Sequence, residues 1–138
     1  MTVPQEYTQA SRQFEAFMAD LKAISLLATH NQCYHMLRAV LHVFRAHLEV
    51  ADALRFADIL PAVVRAIFVE EWTPAPPTPF PDRVALQAEV MAQRRHHNVS
   101  TETAIADVAA ALRRHVDRKA MERVLSSLPQ EAQQFWME

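Results

Sequence analysis

Glycine is absent from this 138-residue sequence, although average usage would place about ten glycines in a chain of this length. Phosphate-binding loops, dinucleotide-binding fingerprints and nucleophile elbows all need glycine, either for unusual backbone conformations or for close approach. The sequence therefore excludes these motifs in their usual forms. Tight hairpin turns also favour glycine, and strand-like alternation of polar and apolar residues is scarce. These absences predict an all-α protein.

Cysteine is nearly absent as well. Cys33 is the single cysteine, which excludes an intramolecular disulfide and a zinc cluster built from cysteines. We expect a buried structural thiol, because no residue near it in sequence forms a nucleophile pair with it. A chain without disulfides suits a reducing compartment, so we predict a cytoplasmic location.

Long hydrophobic runs are also missing. The most apolar stretch, residues 59–69, is interrupted by Pro61 and Arg65, and the first thirty residues show no basic segment followed by an apolar one. We therefore expect neither a signal peptide nor a membrane-spanning segment.

An excess of positive charge is a further absence. The chain has 14 basic and 16 acidic side chains, whereas general nucleic-acid binders normally show a strong basic excess. We predict no nucleic-acid partner. Residues 94–97 and 113–119 could form a basic face on the second half, but a solvated face near helix ends is the favoured interpretation.

Two stretches of the chain, residues 37–68 and 105–136, match each other without a gap. They share 6 identities in 32 positions, where average residue usage would give about two. The identical residues are Val40, Arg45, His47, Arg55, Leu60 and Pro61, matched by Val108, Arg113, His115, Arg123, Leu128 and Pro129. Phe68 is matched by Trp136, which preserves a large aromatic side chain. We interpret the match as an internal duplication within a single domain.

The predicted fold is an internally duplicated helical bundle, with two repeats of about four helices. Repeat one covers residues 7–72 and repeat two covers residues 82–138. The Pro-rich strap between them, residues 73–81, holds 5 of the chain's 8 prolines and favours extended polyproline conformation. We expect the halves not to fold alone, because units of about sixty-five residues are marginal unless they stack on a neighbour. Phe68 and Trp136 should then lie near the interface between the halves.

Helices are predicted from apolar spacings of three and four residues. The first should run from Tyr7 to Ala28 and end at His30-Asn31, and the opening helix of repeat two should run from Asp82 to Arg95. Short helices are expected at residues 51–58 and 118–125, where Asp117 is a good N-cap and Glu49 a poorer one. Pro61 and Pro129 should each be the first residue of a helix, because proline has no N–H to lose there.

Aromatic residues follow both Leu-Pro pairs. Leu60-Pro61 precedes Phe68 and Trp72, Leu128-Pro129 precedes Phe135-Trp136, and residues 112–116 read Leu-Arg-Arg-His-Val. In these motifs the chain resembles, over nearly its whole length, a bacterial family called domain-of-unknown-function family 2267. The motifs concern packing. The resemblance implies a helical duplication and implies no activity, cofactor or catalytic residue.

Seven histidines raise the question of a metal site. Ligands on one helix face should lie three or four residues apart, and the cluster His30, His35, His42 and His47 lacks that spacing. His35 and His42, seven apart, share a face and are the only metal candidates, with an acidic ligand from elsewhere. We favour exposed or capping histidines, and we predict no catalytic residue, no metal and no cofactor.

His47 and His115 are the histidines at matched positions, each near a predicted helix end. We predict that each side chain caps the terminal carbonyls of its helix and that neither is a catalytic base or metal ligand. Glu70 and Glu71 are adjacent on a predicted helix and do not converge for acid/base work. We expect both carboxylates to be solvated.

The function predicted from these observations is a non-enzymatic protein–protein interaction or adaptor module. Surfaces related by a pseudo-two-fold axis often pair into homodimers or hold a partner helix in a groove, but the sequence does not identify the protein partner. The alternative is a small-ligand or metal-binding domain with a His-lined pocket between the repeats. This alternative includes a hydrolytic domain. The residues predicted to have structural roles are Arg45, His47, Leu60, Pro61, Phe68, Arg113, His115, Leu128, Pro129 and Trp136.

Overall fold

The computed structural model describes residues 3–93 and 100–137, and within these ranges the chain contains nine α-helices and no strand. The predicted all-α class is confirmed. The helices are α1 (Gln5–Thr8), α2 (Ala10–Ser25), α3 (His30–Ala46), α4 (Val50–Ala57), α5 (Ala62–Val69), α6 (Arg83–Ala92), α7 (Ala104–His115), α8 (Arg118–Ser126) and α9 (Gln130–Phe135).

The starts of two helix pairs agree at an offset of sixty-eight residues. Val50 and Ala62 begin α4 and α5, and Arg118 and Gln130 begin α8 and α9. This order is consistent with the internal duplication, which stays a prediction. Pro61 and Pro129 lie one residue earlier than predicted, at the N-cap, with φ of −55° in both cases.

The first long helix differs from its prediction. It is divided at Gln9 and ends at Ser25, because Leu26 adopts a left-handed conformation with φ of 63°. Thr29 then forms a capping box, in which its hydroxyl accepts from the Gln32 N–H and the Gln32 side chain accepts from the Thr29 N–H. His30 is therefore the first residue of α3 and not the end of the preceding helix.

The segment between α5 and α6 contains no helix or strand from Trp72 to Asp82. Asp82 caps α6, since its carboxylate accepts from the Ala85 N–H at 2.9 Å. The α6 helix ends at Ala92, three residues before the predicted Arg95. The predicted basic and His-Asn sequences at residues 94–98 lie outside the described residues.

The core joins the two halves. The α2 helix packs on α7, α3 packs on α6, and α4 meets α8. The Trp136 indole stacks on Phe56 at 5.5 Å between ring centroids and meets Phe44 edge-on. Phe68 also packs on Phe56, with 5.4 Å between the two ring centroids. Trp136 therefore lies against the first half, and Phe68 is one aromatic ring away from it.

No helix in the described part of the chain is both long and apolar enough to cross a bilayer.

Candidate functional site

A cleft of about 480 Å³ lies between α3 and the Pro-rich strap. We call it the strap cleft. It is lined by Arg38, His42, Arg45, Ala46, Leu48, Glu71, Trp72, Thr73, Ala75, Pro76, Thr78 and Gln93. Arg38, His42 and Arg45 are spaced by four and three residues, so they occupy one face of α3. Residues from α3, the strap and the C-cap of α6, Gln93, thus meet at a single concave surface.

Arg45 closes one end of the cleft and is only 8% exposed. Its Nη1 donates to the carbonyls of Phe68 and Glu70, both at 2.8 Å, and the guanidinium lies 5.3 Å from the centre of the Trp72 ring. Burial lowers the pKa of Arg45 to about 10, so the side chain remains charged at neutral pH. The guanidinium therefore satisfies carbonyls that the end of α5 leaves without helical partners.

Arg113 makes the same contact in the second half. Its Nη2 donates to the carbonyl of Trp136, the C-cap residue of α9. Both arginines reach a carbonyl 23 residues further along the chain. The recurrence of this arginine is thus explained by the need to bind the end of the Leu-Pro-initiated helix.

Arg38 belongs to a polar network with Tyr34 and Glu70. Arg38 Nε donates to Glu70 Oε1 at 2.8 Å, and the Tyr34 hydroxyl donates to the same oxygen at 2.7 Å. Glu70 is therefore not solvated as expected. Glu71 agrees better with the expectation, since its side chain is 70% exposed and its carboxylate stays 3.7 Å from Arg38 Nη2.

His42 is 7% exposed and its Nε2 lies 2.8 Å from the Ile67 carbonyl. Burial, aided by the nearby Arg45 and Arg38 charges, lowers the pKa of His42 to about 4. The ring is therefore neutral at neutral pH, and Nε2 must carry the proton because a carbonyl can only accept. Nδ1 is then an acceptor, and it has no hydrogen-bond partner among the described residues.

The two metal candidates do not form a shared site in this structure. His35 packs edge-on against the ring of Tyr34, whereas the Nε2 of His42 is occupied by Ile67. Within residues 3–93 and 100–137, no three His, Cys, Asp or Glu side chains are placed to hold one metal ion.

His47 and His115 lie at helix ends as predicted, but their rings do not cap those helices. His47 Nε2 donates to Glu89 Oε1 at 2.8 Å, and its Nδ1 lies 3.0 Å from the carbonyl and hydroxyl oxygens of Thr78. His115 Nε2 donates to Asp20 Oδ2 at 2.6 Å. The predicted capping role is wrong, because carboxylates on other helices are stronger acceptors than the terminal carbonyls.

These two histidine–carboxylate pairs are reciprocal. His47, the C-cap residue of α3 in the first half, binds Glu89 of α6 in the second. His115 of α7, in the second half, binds Asp20 of α2 in the first. Each half therefore uses its matched histidine to bind the long opening helix of the other half.

The predicted basic face at residues 113–119 is largely engaged with acceptors. Arg114 lies 3.8 Å from Asp20, and Arg118 donates to Glu122 at 3.2 Å. The side chains of Arg114 and Arg118 are 59% and 90% exposed, which agrees with the favoured interpretation of a solvated face.

A second concave surface, of about 730 Å³, lies between α6 and the start of α7. We call it the α6 groove. It is lined by Arg83, Val84, Gln87, Ala88, Met91, Glu102, Thr103 and Ala106. Val84 is 80% exposed and Met91 is 44% exposed. Val84, Ala88 and Met91 are spaced by four and three residues, so they form an apolar stripe on the outer face of α6.

One protein-family model matches most of the chain. The model of the family described as "Uncharacterized conserved protein (DUF2267)" matches residues 14–135. The chain belongs to the DUF2267 family. The match includes the strap cleft, the α6 groove and both histidine–carboxylate pairs, and the description of DUF2267 names no activity. Among curated proteins, no match was found.

Several residues of the strap cleft were missed by sequence reasoning. Arg38 and Tyr34 bind Glu70 across 32 and 36 residues, and no local pattern indicates such pairs. One available signal was the spacing of Arg38, His42 and Arg45, which predicts a shared face within a helix otherwise rich in apolar residues.

Proposed function

We propose that the protein is a non-enzymatic, cytoplasmic protein–protein interaction module, and that its α6 groove binds a second copy of the chain. One observation carries the proposal: α6 is apolar on two faces. Leu86 and Val90 are buried in the core, whereas Val84, Ala88 and Met91 face outward in the groove. A surface helix normally has one apolar face, so the outer stripe requires another explanation.

The groove is suited to pairing with itself. In a two-fold interface each contact occurs twice, so a surface must be complementary to its own copy. Among its described lining residues the groove has one cation, Arg83, and one anion, Glu102. The terminal nitrogens of Arg83 also donate to the carbonyls of Phe135 and Met137. A two-fold arrangement can set Arg83 of one copy opposite Glu102 of the other. Ala88 and Ala106 are small, which allows a second helix to approach closely.

Sedimentation analysis over a range of protein concentrations tests the proposal. The wild-type protein should reach twice the 15.7 kDa mass of one chain. The double variant Val84→Lys/Met91→Lys should remain a monomer, because it places two desolvated charges in the interface. Glu102→Lys should weaken the dimer, since it sets a like charge opposite Arg83.

Leu54→Lys is the matched control. Leu54 is an apolar helix residue with 54% exposure, and it lies on α4, outside the groove. This variant should dimerise like the wild type. A wild-type protein that stays monomeric at high concentration would refute the proposal, as would a Leu54→Lys variant that dissociates as fully as the groove variants.

A further inference from the structure

Arg38 presents donors in the strap cleft that the protein does not use. Its Nε binds Glu70, but Nη1 and Nη2 make no hydrogen bond within the described part of the chain. Oε1 of Glu71 lies 3.7 Å from Nη2, which exceeds hydrogen-bond distance. The side chain is only 16% exposed. The two terminal nitrogens of a guanidinium match the two oxygens of a carboxylate.

His42 presents the opposite polarity one helical turn further along α3. Its Nε2–H is fixed by the Ile67 carbonyl, so Nδ1 can only accept. A ligand hydroxyl is a suitable donor for this nitrogen. Because Arg38 and His42 are four residues apart, they line the cleft side by side, and a carboxylate and a hydroxyl on adjacent carbons could reach both.

One side of the remaining wall is apolar, whereas Arg45, Glu71, Thr73, Thr78 and Gln93 make the rest of it polar. Leu48 is buried, Trp72 is half-buried, and Ala46, Ala75 and Pro76 complete this side. A volume of about 480 Å³ lies in the usual range for small-molecule sites. The cleft therefore has room for an apolar group next to the polar pair.

We propose that the strap cleft binds a small 2-hydroxycarboxylic acid that carries an apolar substituent. The ligand carboxylate binds Nη1 and Nη2 of Arg38, its hydroxyl donates to Nδ1 of His42, and its apolar group packs between Leu48, Trp72 and Pro76. This site is separate from the α6 groove and does not depend on dimerisation.

Glu71 acts as an internal competitor in this arrangement. Its carboxylate lies 3.7 Å from Arg38 Nη2, and an incoming carboxylate must take its place. Removal of the Glu71 charge should therefore strengthen binding, a result that a purely structural role for Arg38 does not predict.

The test uses mandelate as the probe and tryptophan fluorescence as the readout. The chain has two tryptophans, and Trp72 lines the cleft whereas Trp136 is buried in the aromatic cluster. Mandelate should give a saturable change at millimolar concentration or below, and the change should disappear in Trp72→Phe. Phenylacetate, which lacks the hydroxyl, and 1-phenyl-1,2-ethanediol, which lacks the carboxylate, should each bind about tenfold more weakly.

Arg38→Lys should weaken mandelate binding about tenfold, because lysine offers a point charge in place of the paired donors. Glu71→Gln should strengthen it. Arg55→Lys is the matched control, since Arg55 also pairs with a carboxylate but lies on α4. Circular dichroism checks that each variant is folded.

Absence of a saturable change with folded wild-type protein would overturn the proposal. It would also be overturned if phenylacetate bound as tightly as mandelate, or if Arg55→Lys weakened binding as much as Arg38→Lys did.

Discussion

Arg45 and Arg113 show what a recurring residue can and cannot reveal. The sequence match marks both as structural residues, and each binds a carbonyl at the end of a Leu-Pro-initiated helix. The match could not identify the acceptors, because every residue type has a backbone carbonyl that can accept a hydrogen bond. The same limit applies to His47 and His115. Their acceptors lie 42 and 95 residues away, so reasoning from the nearby helix end selected the wrong partner.

His42 should make the stability of the protein depend on pH. Its folded-state pKa of about 4 lies below the ordinary value of about 6.5, so the unfolded chain takes up the proton first as the pH falls. The contribution is fully present above pH 6.5 and decreases as the pH falls towards 4. We expect a loss of at most about 3 kcal/mol in the free energy of unfolding, measured by urea denaturation between pH 7.5 and 4.

His42→Gln should remove this part of the pH dependence, because glutamine can still donate to the Ile67 carbonyl but does not titrate in this range. His30→Gln, at an exposed position on the same helix, should keep it. Parallel pH profiles for the wild type and His42→Gln would contradict the assignment.

Helix starts were the elements that sequence reasoning placed best. Capping chemistry is local, so Asp117 could be recognised as an N-cap and the start of α8 at Arg118 was predicted to the residue. Helix ends were placed less well. The apolar spacing continues through Leu27, but the left-handed conformation of Leu26 carries no sequence signal when the residue is not glycine.

Asp117 and Glu49 occupy matched positions and provide a direct comparison of capping energies. Asp117 Oδ2 accepts from the Ala120 N–H at 2.9 Å, whereas the Glu49 side chain makes no capping hydrogen bond. We expect Asp117→Ala to lower the free energy of unfolding by about 1 kcal/mol and Glu49→Ala by less than about 0.5 kcal/mol. Urea denaturation of the two variants provides the measurement, and equal losses would show that the cap is not the cause.

At the scale of the whole molecule, the two halves share one core. The α2 residues Phe17 and Leu21 are fully buried on a helix that packs against α7, and Trp136 stacks on Phe56. Sequence reasoning anticipated a shared interface from the size of the repeats. It could not anticipate that the opening helix of each half is bound by the histidine of the other.

Separate fragments 1–73 and 74–138 should therefore not melt cooperatively as monomers. Each fragment would expose apolar surface that the other covers. A unit of about seventy residues has only a small free energy of unfolding, so this loss is enough to unfold it. Thermal unfolding followed by circular dichroism checks each fragment alone and in an equimolar mixture. Cooperative monomeric melting of both fragments alone would contradict the prediction, and recovery of a cooperative transition in the mixture would support it.

The packing of α2 on α7 also has a consequence for the order of folding events. Asp20 and His115 are 95 residues apart in the chain, and long loops must close before distant contacts become favourable, which slows folding. Small helical proteins usually fold fast because their contacts are local. During synthesis, the apolar face of α2 leaves the ribosome well before α7 exists to cover it. For that interval Phe17 and Leu21 lack their main packing partner. The nascent chain then exposes apolar surface of the kind that chaperones bind.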